Sequence, residues 1–561
     1  MMVRGTAQAV DARVRSRAGK WRRAALALAV WAALTGGTAM ARAADAPLRI
    51  PLEAMGYQPA LPDFLLAGDS VLTVDFVDND HLLITFGVRR LMKRQADSLP
   101  NDDDRTIGAS LVELPSGKVL ARTEWRVHDR LQYLWSLGHG RFLLRVRDRL
   151  TEIAPMAEAA REDAFRQIPL LRFDRHIVAM LVSSDGDLLT VYTVKRPAGA
   201  GDTVDVSLGE QPAGDPAPVQ INFFRLANTS ESADGLRVSP AGGIRTREAA
   251  SLPMTTGGFL DVLNGERGTW LFNFDEHAGK VNELLAFATS CFPRSTFVDR
   301  GEFVVFGCRG SDDKQDFAGF NLKGDEIWQQ NFTDTHVNPT FSFAPAAGRF
   351  ALGRTIVSRA IDLDSPLPSS LVTGQEVRVY QTYNGKQLFK IDLSPVERAG
   401  QNFALSGDGM RVAVVRETVV HHAATQDYEA YTQRETGVEV YALPPLSKED
   451  QAAVKAAEAQ APADTGVRID DALRRVSAAD AKAASRGSGA AEGNATAAPA
   501  AVVVDGAQQE TAAKTESETA TGDSPGTETG TVMEGDAPPD TPRKPPTLYG
   551  PGEKPEEKPP Q

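Results

Sequence analysis

Few side chains in this sequence stand in patterns that do chemistry. His421 and His422 are adjacent, and Tyr428, Tyr431 and Arg434 follow closely. Such a set suits either metal ligation or contact with a protein surface. Neighbouring residues of an extended strand point to opposite faces, so the two imidazoles do not share one metal. No metal is expected, and the group reads as a contact surface. Arg89, Arg90, Lys93 and Arg94 form a basic cluster, followed by Asp102, Asp103 and Asp104. A run of this kind reads as a solvated loop, with Arg89, Arg90 and Arg94 as candidate contacts. Asp185-Gly186-Asp187 and Gly407-Asp408-Gly409 begin like calcium loops but lack the spacing and closing Glu of that motif, so they read as hairpin turns. The chain has no His-Glu-x-x-His helix or phosphate loop. No catalytic residue and no cofactor follow from the motifs.

The elements that must position these residues are strands. Residues 44–445 are a series of period-2 apolar runs bounded by Gly, Asp, Asn and Pro, with almost no helical periodicity. The runs repeat as a hairpin followed by a second hairpin. The clearest copy is Cys291–Phe332, with CFPRSTFVDRGEFVVFGC followed by FAGFNLKGDEIWQQNF. Second strands begin near 81, 141, 188, 258, 302, 349 and 411. That spacing, about 55 residues, exceeds the roughly 40–50 of compact propeller repeats because several loops are expanded. Seven four-stranded antiparallel units predict an all-β fold, a seven-bladed β-propeller. A two-sheet sandwich is the competing architecture, but it has no reason to repeat one unit. The seventh unit lacks a fourth strand. Leu48–Leu52 is expected to supply it as an outer edge strand, a position that tolerates Pro51.

Cys291 and Cys308 are the two cysteines of the chain. They lie almost equally far from the turn at Asp299–Gly301, so folding that hairpin brings them together. A disulfide is expected.

In a blade, second-to-third connections leave from one face, and first-to-second and third-to-fourth turns from the other. The long insertions at 88–107, 197–218, 309–316, 355–374 and 417–436 are second-to-third connections, whereas the short turns are mostly of the other kinds. One face therefore collects the loops around the channel mouth, where binding residues concentrate on a rigid scaffold.

The phrase FNLKGDEIWQQNF resembles the repeat of quinoprotein-like propellers, in which a Gly-containing turn precedes a Trp-bearing fourth strand. Leu111–Trp125 and Val379–Ile391 are weaker copies, with Leu120 and Phe389 in the Trp place. YVTN-type and WD40-like propellers share the general pattern. The resemblance covers most of 48–443 and implies a seven-bladed ring. The adjacent cysteines usual near a quinone cofactor are missing here, since Cys291 and Cys308 are separated by a hairpin. Envelope-assembly scaffolds that use such a ring without cofactor are the nearer functional analogy.

The chain ends differ from the ring. Residues 1–43 read as an export signal: a basic segment, the short apolar run Ala24–Leu34, and Ala41-Arg42-Ala43 as cleavage site. That run is shorter than the roughly 20 residues of a membrane-spanning helix, and no later segment could span a membrane. Residues 446–561 are rich in Ala, Glu, Thr, Pro and Gly and read as a low-complexity, mostly disordered tail, with transient helices expected at Glu449–Ala459 and Asp470–Ser485. The net charge of -13 argues against nucleic acid as a partner. Periplasmic or secreted localisation is expected. The expected function is a non-catalytic exported scaffold binding a protein or envelope component through its loop-rich face. The alternative is a propeller enzyme, a lactonase-like hydrolase or a lyase, with its site at the channel mouth. The sequence sets no oligomeric state.

Overall fold

The computed structural model describes residues 46–473, leaving out 59–71, most of 89–103, 130–131, 154–163, 196–218, 228–235, 247–252, 266–267, 310–314, 333–338, 359–370, 394–401, 424–428 and 472. The expected export signal and the chain beyond 473 lie outside the described residues.

Seven antiparallel sheets follow one another around a ring, six of four strands and one of three. The first strand of the chain is β1 (Leu48–Pro51). Blade 1 holds β2 (Leu72–Phe76), β3 (His81–Val88), β4 (Arg105–Glu113) and β5 (Val119–Val127). Blade 2 holds β6 (Leu134–Gly138), β7 (Arg141–Val146), β8 (Arg149–Ile153) and β9 (Gln167–Arg172). Blade 3 holds β10 (His176–Val182), β11 (Leu188–Val194), β12 (Val219–Ala227) and β13 (Arg237–Thr246). Blade 4 holds β14 (Gly258–Asn264), β15 (Thr269–Glu276) and β16 (Val281–Ala288). Blade 5 holds β17 (Arg294–Phe297), β18 (Glu302–Cys308), β19 (Gln315–Asn321) and β20 (Glu326–Phe332). Blade 6 holds β21 (Thr340–Ala344), β22 (Arg349–Val357), β23 (Val372–Gln381) and β24 (Gln387–Leu393). Blade 7 holds β25 (Phe403–Leu405), β26 (Arg411–His422) and β27 (Tyr431–Ala442).

β1 completes blade 7. It pairs antiparallel with β27 from Leu48↔Val440 to Pro51↔Gly437, as the outer edge strand expected from the position of Pro51. The first and last strands of the ring are thus hydrogen-bonded to each other, and closure removes an open sheet edge.

The sequence of each strand follows its place in the blade. β18 is buried along its whole length between the neighbouring sheets and reads as the continuous run EFVVFGC. β20 is an outer strand, and its exposure alternates. The apolar core is divided into clusters that lie between adjacent blades. One joins Ile50, Val415 and Val438 of blade 7 to Val74 and Ile84 of blade 1. Another joins Phe272 and Phe287 of blade 4 to Phe303 and Phe320 of blade 5. The Trp of the repeat, Trp328, has the same role. Its Nε1 donates to the carbonyl of Thr382 at 2.6 Å in the third-to-fourth turn of blade 6. A Cβ on Gly385 of that turn would stand 2.5 Å from the indole.

Blades 1 to 6 share a further mark, a register shift in the ladder between third and fourth strands, as at Leu111/Val112, Phe272/Asn273 and Gly319/Phe320. Such a bulge tightens the local twist. Its place in blade 4 identifies β14, β15 and β16 as second, third and fourth strands. Among the described residues the innermost strand of that blade is reduced to the bridge Met254↔Phe259, beside Pro253.

Three sequence expectations change. First, β9 and β13 were not legible as strands, because Pro169, Pro240 and the Gly242-Gly243 pair break their patterns. With them in place, the long connections 154–166 and 228–236 are third-to-fourth connections, so long loops are not confined to one face. Second, parts of the expected insertions are strand: β22 and β23 take in 355–357 and 372–374, and β26 and β27 take in 417–422 and 431–436. Third, the chain does not leave the ring at 445. Helix α1 (Lys448–Gln460) starts with a capping box, in which the Ser447 hydroxyl accepts from the Asp450 backbone N–H and the Asp450 side chain accepts from the Ser447 N–H. Beyond it, Arg225 of blade 3 binds Asp464 at 2.9 Å and the Val467 carbonyl at 2.6 Å. Ile469 and Leu473 are buried with Ile221 and Ile244 of the same blade. Composition misses this because a few apolar residues suffice when the ring already provides the surface they pack on. Among the described residues no helix is long and apolar enough to cross a membrane.

Candidate binding face

Strand alternation places the connections β3–β4, β11–β12, β18–β19, β22–β23 and β26–β27 at the same end of their blades. These are the second-to-third connections read from the sequence. The clearest described feature there belongs to blade 7. β26 and β27 run twelve residues each, paired as far as His422↔Tyr431. Their flanking strands stop earlier. β25 ends its ladder at Phe403↔Val414, and β1 at Pro51↔Gly437. The outer half of the hairpin therefore projects from the blade as a two-stranded ribbon. Its base is held by the Leu52 N–H on the Thr436 carbonyl at 3.0 Å and by the Arg49 guanidinium on the Thr418 hydroxyl.

The ribbon brings two of the predicted contact residues together. The imidazole of His422 stacks on the ring of Tyr431, with centroids 4.5 Å apart. His421 diverges from it, with Nδ1 2.9 Å from the Thr432 hydroxyl. The two histidines do point to opposite faces. Val419 and Tyr431 are the exposed apolar side chains of the ribbon, 53% and 50% accessible. Arg434 lies in the ladder opposite Val419. Tyr428, Arg89, Arg90, Lys93 and Arg94 lie outside the described residues.

Asp102 and Asp104, beside the basic cluster, are not solvated. Asp102 and His128 are 6% and 2% exposed. His128 Nδ1 faces Asp104 Oδ1 at 2.7 Å, and Arg147 Nη2 faces Asp102 Oδ2 at 2.6 Å and His128 Nδ1 at 3.1 Å. The knot ties the second-to-third connection of blade 1 to the entry and turn of blade 2. His128 and Arg147 carry no sequence signal, since each is a lone residue that meets its partners only through blade packing. Among the described residues, Asp102, Asp104 and His128 are the group whose ligand atoms lie close enough to hold one metal ion. Arg147 already supplies a cation there, and a guanidinium keeps its charge. The cluster reads as an ion-pair knot.

The rim of blades 5 and 6 is charged in a similar way. Glu376 accepts from Arg354 Nη1 at 2.9 Å and Arg378 Nε at 2.6 Å, and pairs with Lys390 at 2.6 Å. Burial would raise its carboxyl, but the hydrogen bonds and charges of these partners outweigh burial and hold it down at about 2. Arg354 also lies over the Phe332 ring, 4.0 Å from its centroid. Cys291 and Cys308 are joined, with Cα atoms 5.4 Å apart, as expected. The bond sits at the root of the 309–314 connection. The Thr289 hydroxyl accepts from the backbone N–H of Cys308 at 2.7 Å and of Cys291 at 3.3 Å.

Carboxyls raised towards neutrality lie elsewhere. Burial pushes Asp75, on the inner strand of blade 1, up to about 7. Asp299 and Glu302 rise to about 6 and about 8 in the first-to-second turn of blade 5, on the face opposite the ribbon.

No family model matches the chain, and no curated protein matches it. Among solved structures it is similar to a eukaryotic initiation factor at 11% identity and a TM-score of 0.29, over 65% of this chain and 78% of that one. It is similar to Kluyveromyces lactis Hsv2p at 9% identity and a TM-score of 0.29, over 65% and 97%. It is similar to the acylaminoacyl peptidase of Pyrococcus horikoshii at 8% identity and a TM-score of 0.33, over 70% of this chain and 55% of the peptidase. These likenesses assign the chain neither an activity nor a partner.

Proposed function

We propose that this protein is an exported, non-catalytic β-propeller scaffold that binds a protein or cell-envelope component through the face carrying the second-to-third connections. The observation that carries the reading is the blade 7 ribbon. It projects from that face beyond both flanking strands and exposes Val419 and Tyr431. Exposed aromatic and apolar side chains on a rigid support are what contact surfaces are made of. Export is supported by the composition of residues 1–43 and by the Cys291–Cys308 bond, a feature of oxidising compartments.

The test shortens the ribbon across 419–434 and the blade 1 connection across 89–101, each to a tight turn. These limits keep Thr418, Glu435, Asp102 and Asp104, which hold the ring together. Captured partners from an envelope fraction should be lost while the ring stays folded. Retention of the same partners by both shortened proteins overturns the reading.

A further inference from the structure

Beyond β27 the chain crosses the face that carries the first-to-second turns, opposite the ribbon. A Cβ on Gly348 of blade 6 would stand 2.7 Å from Val454, and one on Gly301 of blade 5 would stand 2.9 Å from the carbonyl of Ala457. One on Gly257 of blade 4 would stand 2.7 Å from Pro462. Along this path helix α1 buries none of its own residues. The grip on the ring comes after it, at blade 3.

There the segment meets three features of the ring. The Arg225 guanidinium donates from Nε to both carboxylate oxygens of Asp464, at 2.9 and 3.0 Å, and from Nη2 to the Val467 carbonyl at 2.6 Å. Ile469 and Leu473, 0% and 4% exposed, enter the apolar cluster that joins Leu188, Ile221 and Ile244 of blade 3 to Met254 and Phe259 of blade 4. Gly242 of β13 leaves room for the Asp470 carboxylate, which a Cβ there would strike. The cluster sits where the ring is thinnest, beside the bridge Met254↔Phe259 that stands for the innermost strand of blade 4 among the described residues.

The charges of the segment are arranged for departure. Arg468 pairs with Asp470 at 2.8 and 3.0 Å, so this buried carboxylate has a counter-charge on its own segment. The side chains of Arg225 and Asp464 are 16% and 35% exposed, so water reaches each of them when the other leaves. Removing one partner of a fully buried pair is costly because a charge is stranded; here the exposed pair is the one that breaks. The preceding helix has no buried residue to hold the segment in place.

We propose that the seam between blades 3 and 4 is a peptide-docking site, that residues 462–473 are its tethered occupant, and that they leave it as a unit while the ring stays folded. The site reads an acidic residue and, five and nine positions on, two aliphatic residues, here Asp464, Ile469 and Leu473. A segment of that pattern on a partner protein competes for it. The tether gives the built-in segment a high effective concentration, so a free competitor of equal strength binds poorly until that segment is released. This site is separate from the ribbon and does not depend on what the ribbon binds.

Two measurements on the full chain test this. The protein has no free cysteine among the described residues, so an introduced thiol reports on its own site. Ile469→Cys should react with a thiol reagent, without denaturant, at least roughly tenfold faster than Val379→Cys, an equally buried position in blade 6. Equal rates overturn the proposal, because the segment would then leave only when the ring unfolds. In the second measurement a fluorescent peptide of residues 461–473 is added to the chain carrying Ile469→Asp and Leu473→Asp, whose own segment is released. It should bind saturably, and at least about tenfold more tightly than to the wild-type chain. Adding Arg225→Ala should weaken it by roughly tenfold. A folded released chain that does not bind the peptide, or that binds equally a peptide carrying the same two Asp substitutions, overturns the proposal.

Discussion

The imidazole of His422 lies nearly parallel to the ring of Tyr431, at 15° and 4.5 Å between centroids, near the end of the blade 7 ribbon. The pair stiffens a two-stranded element that neither β25 nor β1 supports on its flanks. Replacing Tyr431 with Ala should weaken partner binding by about tenfold or more, the usual cost of a central aromatic contact. Thermal unfolding of the ring should move little, because half of the Tyr431 side chain is already in water. Parallel binding and melting curves check this.

The disulfide should contribute to stability through the chain it closes. Cys291 and Cys308 are 17 residues apart. A loop of that length stabilises by roughly 3 kcal/mol in the chain-entropy model. A Cys291→Ser, Cys308→Ser double variant should lose about that much in denaturant unfolding. Thiol titration of the unfolded, non-reduced wild-type protein should find no free thiol.

Asp75 should make the ring less stable at alkaline pH than at acid pH. Burial raises its carboxyl from 3.8 to about 7. A raised carboxyl favours the folded state only while protonated, so this contribution is lost as pH climbs from about 4 to about 7. Asp75→Asn should therefore be stabilising above pH 7, by about 1–2 kcal/mol once partial solvent screening is allowed for. At pH 4 it should be nearly neutral. Melting temperatures across that range would show the sign.

The knot around Asp102 should act as structure and not as a metal centre. Arg147→Ala removes a partner from a buried carboxylate and should destabilise the ring by about 2–4 kcal/mol. Added zinc should leave the melting temperature of the wild-type protein unchanged. A stabilisation of several degrees by zinc would contradict the ion-pair assignment.

The repeat was legible because each blade writes it locally. A buried strand such as β18 must be apolar throughout, an outer strand such as β20 must alternate, and the hairpin turns need residues such as Gly301 and Gly324. Ring closure by β1 was legible for the same reason, since Pro51 fits an outer edge. The Cys291–Cys308 bond followed from hairpin symmetry together with the oxidising compartment expected of an exported chain. Not legible were the elements whose local pattern is broken, β9 and β13, and the packing of the segment after 445 on the ring, where the sequence suggested only a transient helix.

The amino-acid sequence by itself determined the strand-turn period, the number of blades and the residue that closes them, because these depend on neighbours along the chain. Tertiary structure alone decided that Asp102 meets His128 and Arg147, that Glu376 gathers three cations, and that Glu302 and α1 line one crevice. Each of those groups combines residues from separate loops or strands. Their charges depend on burial and on packing between strands and loops, which no local pattern encodes.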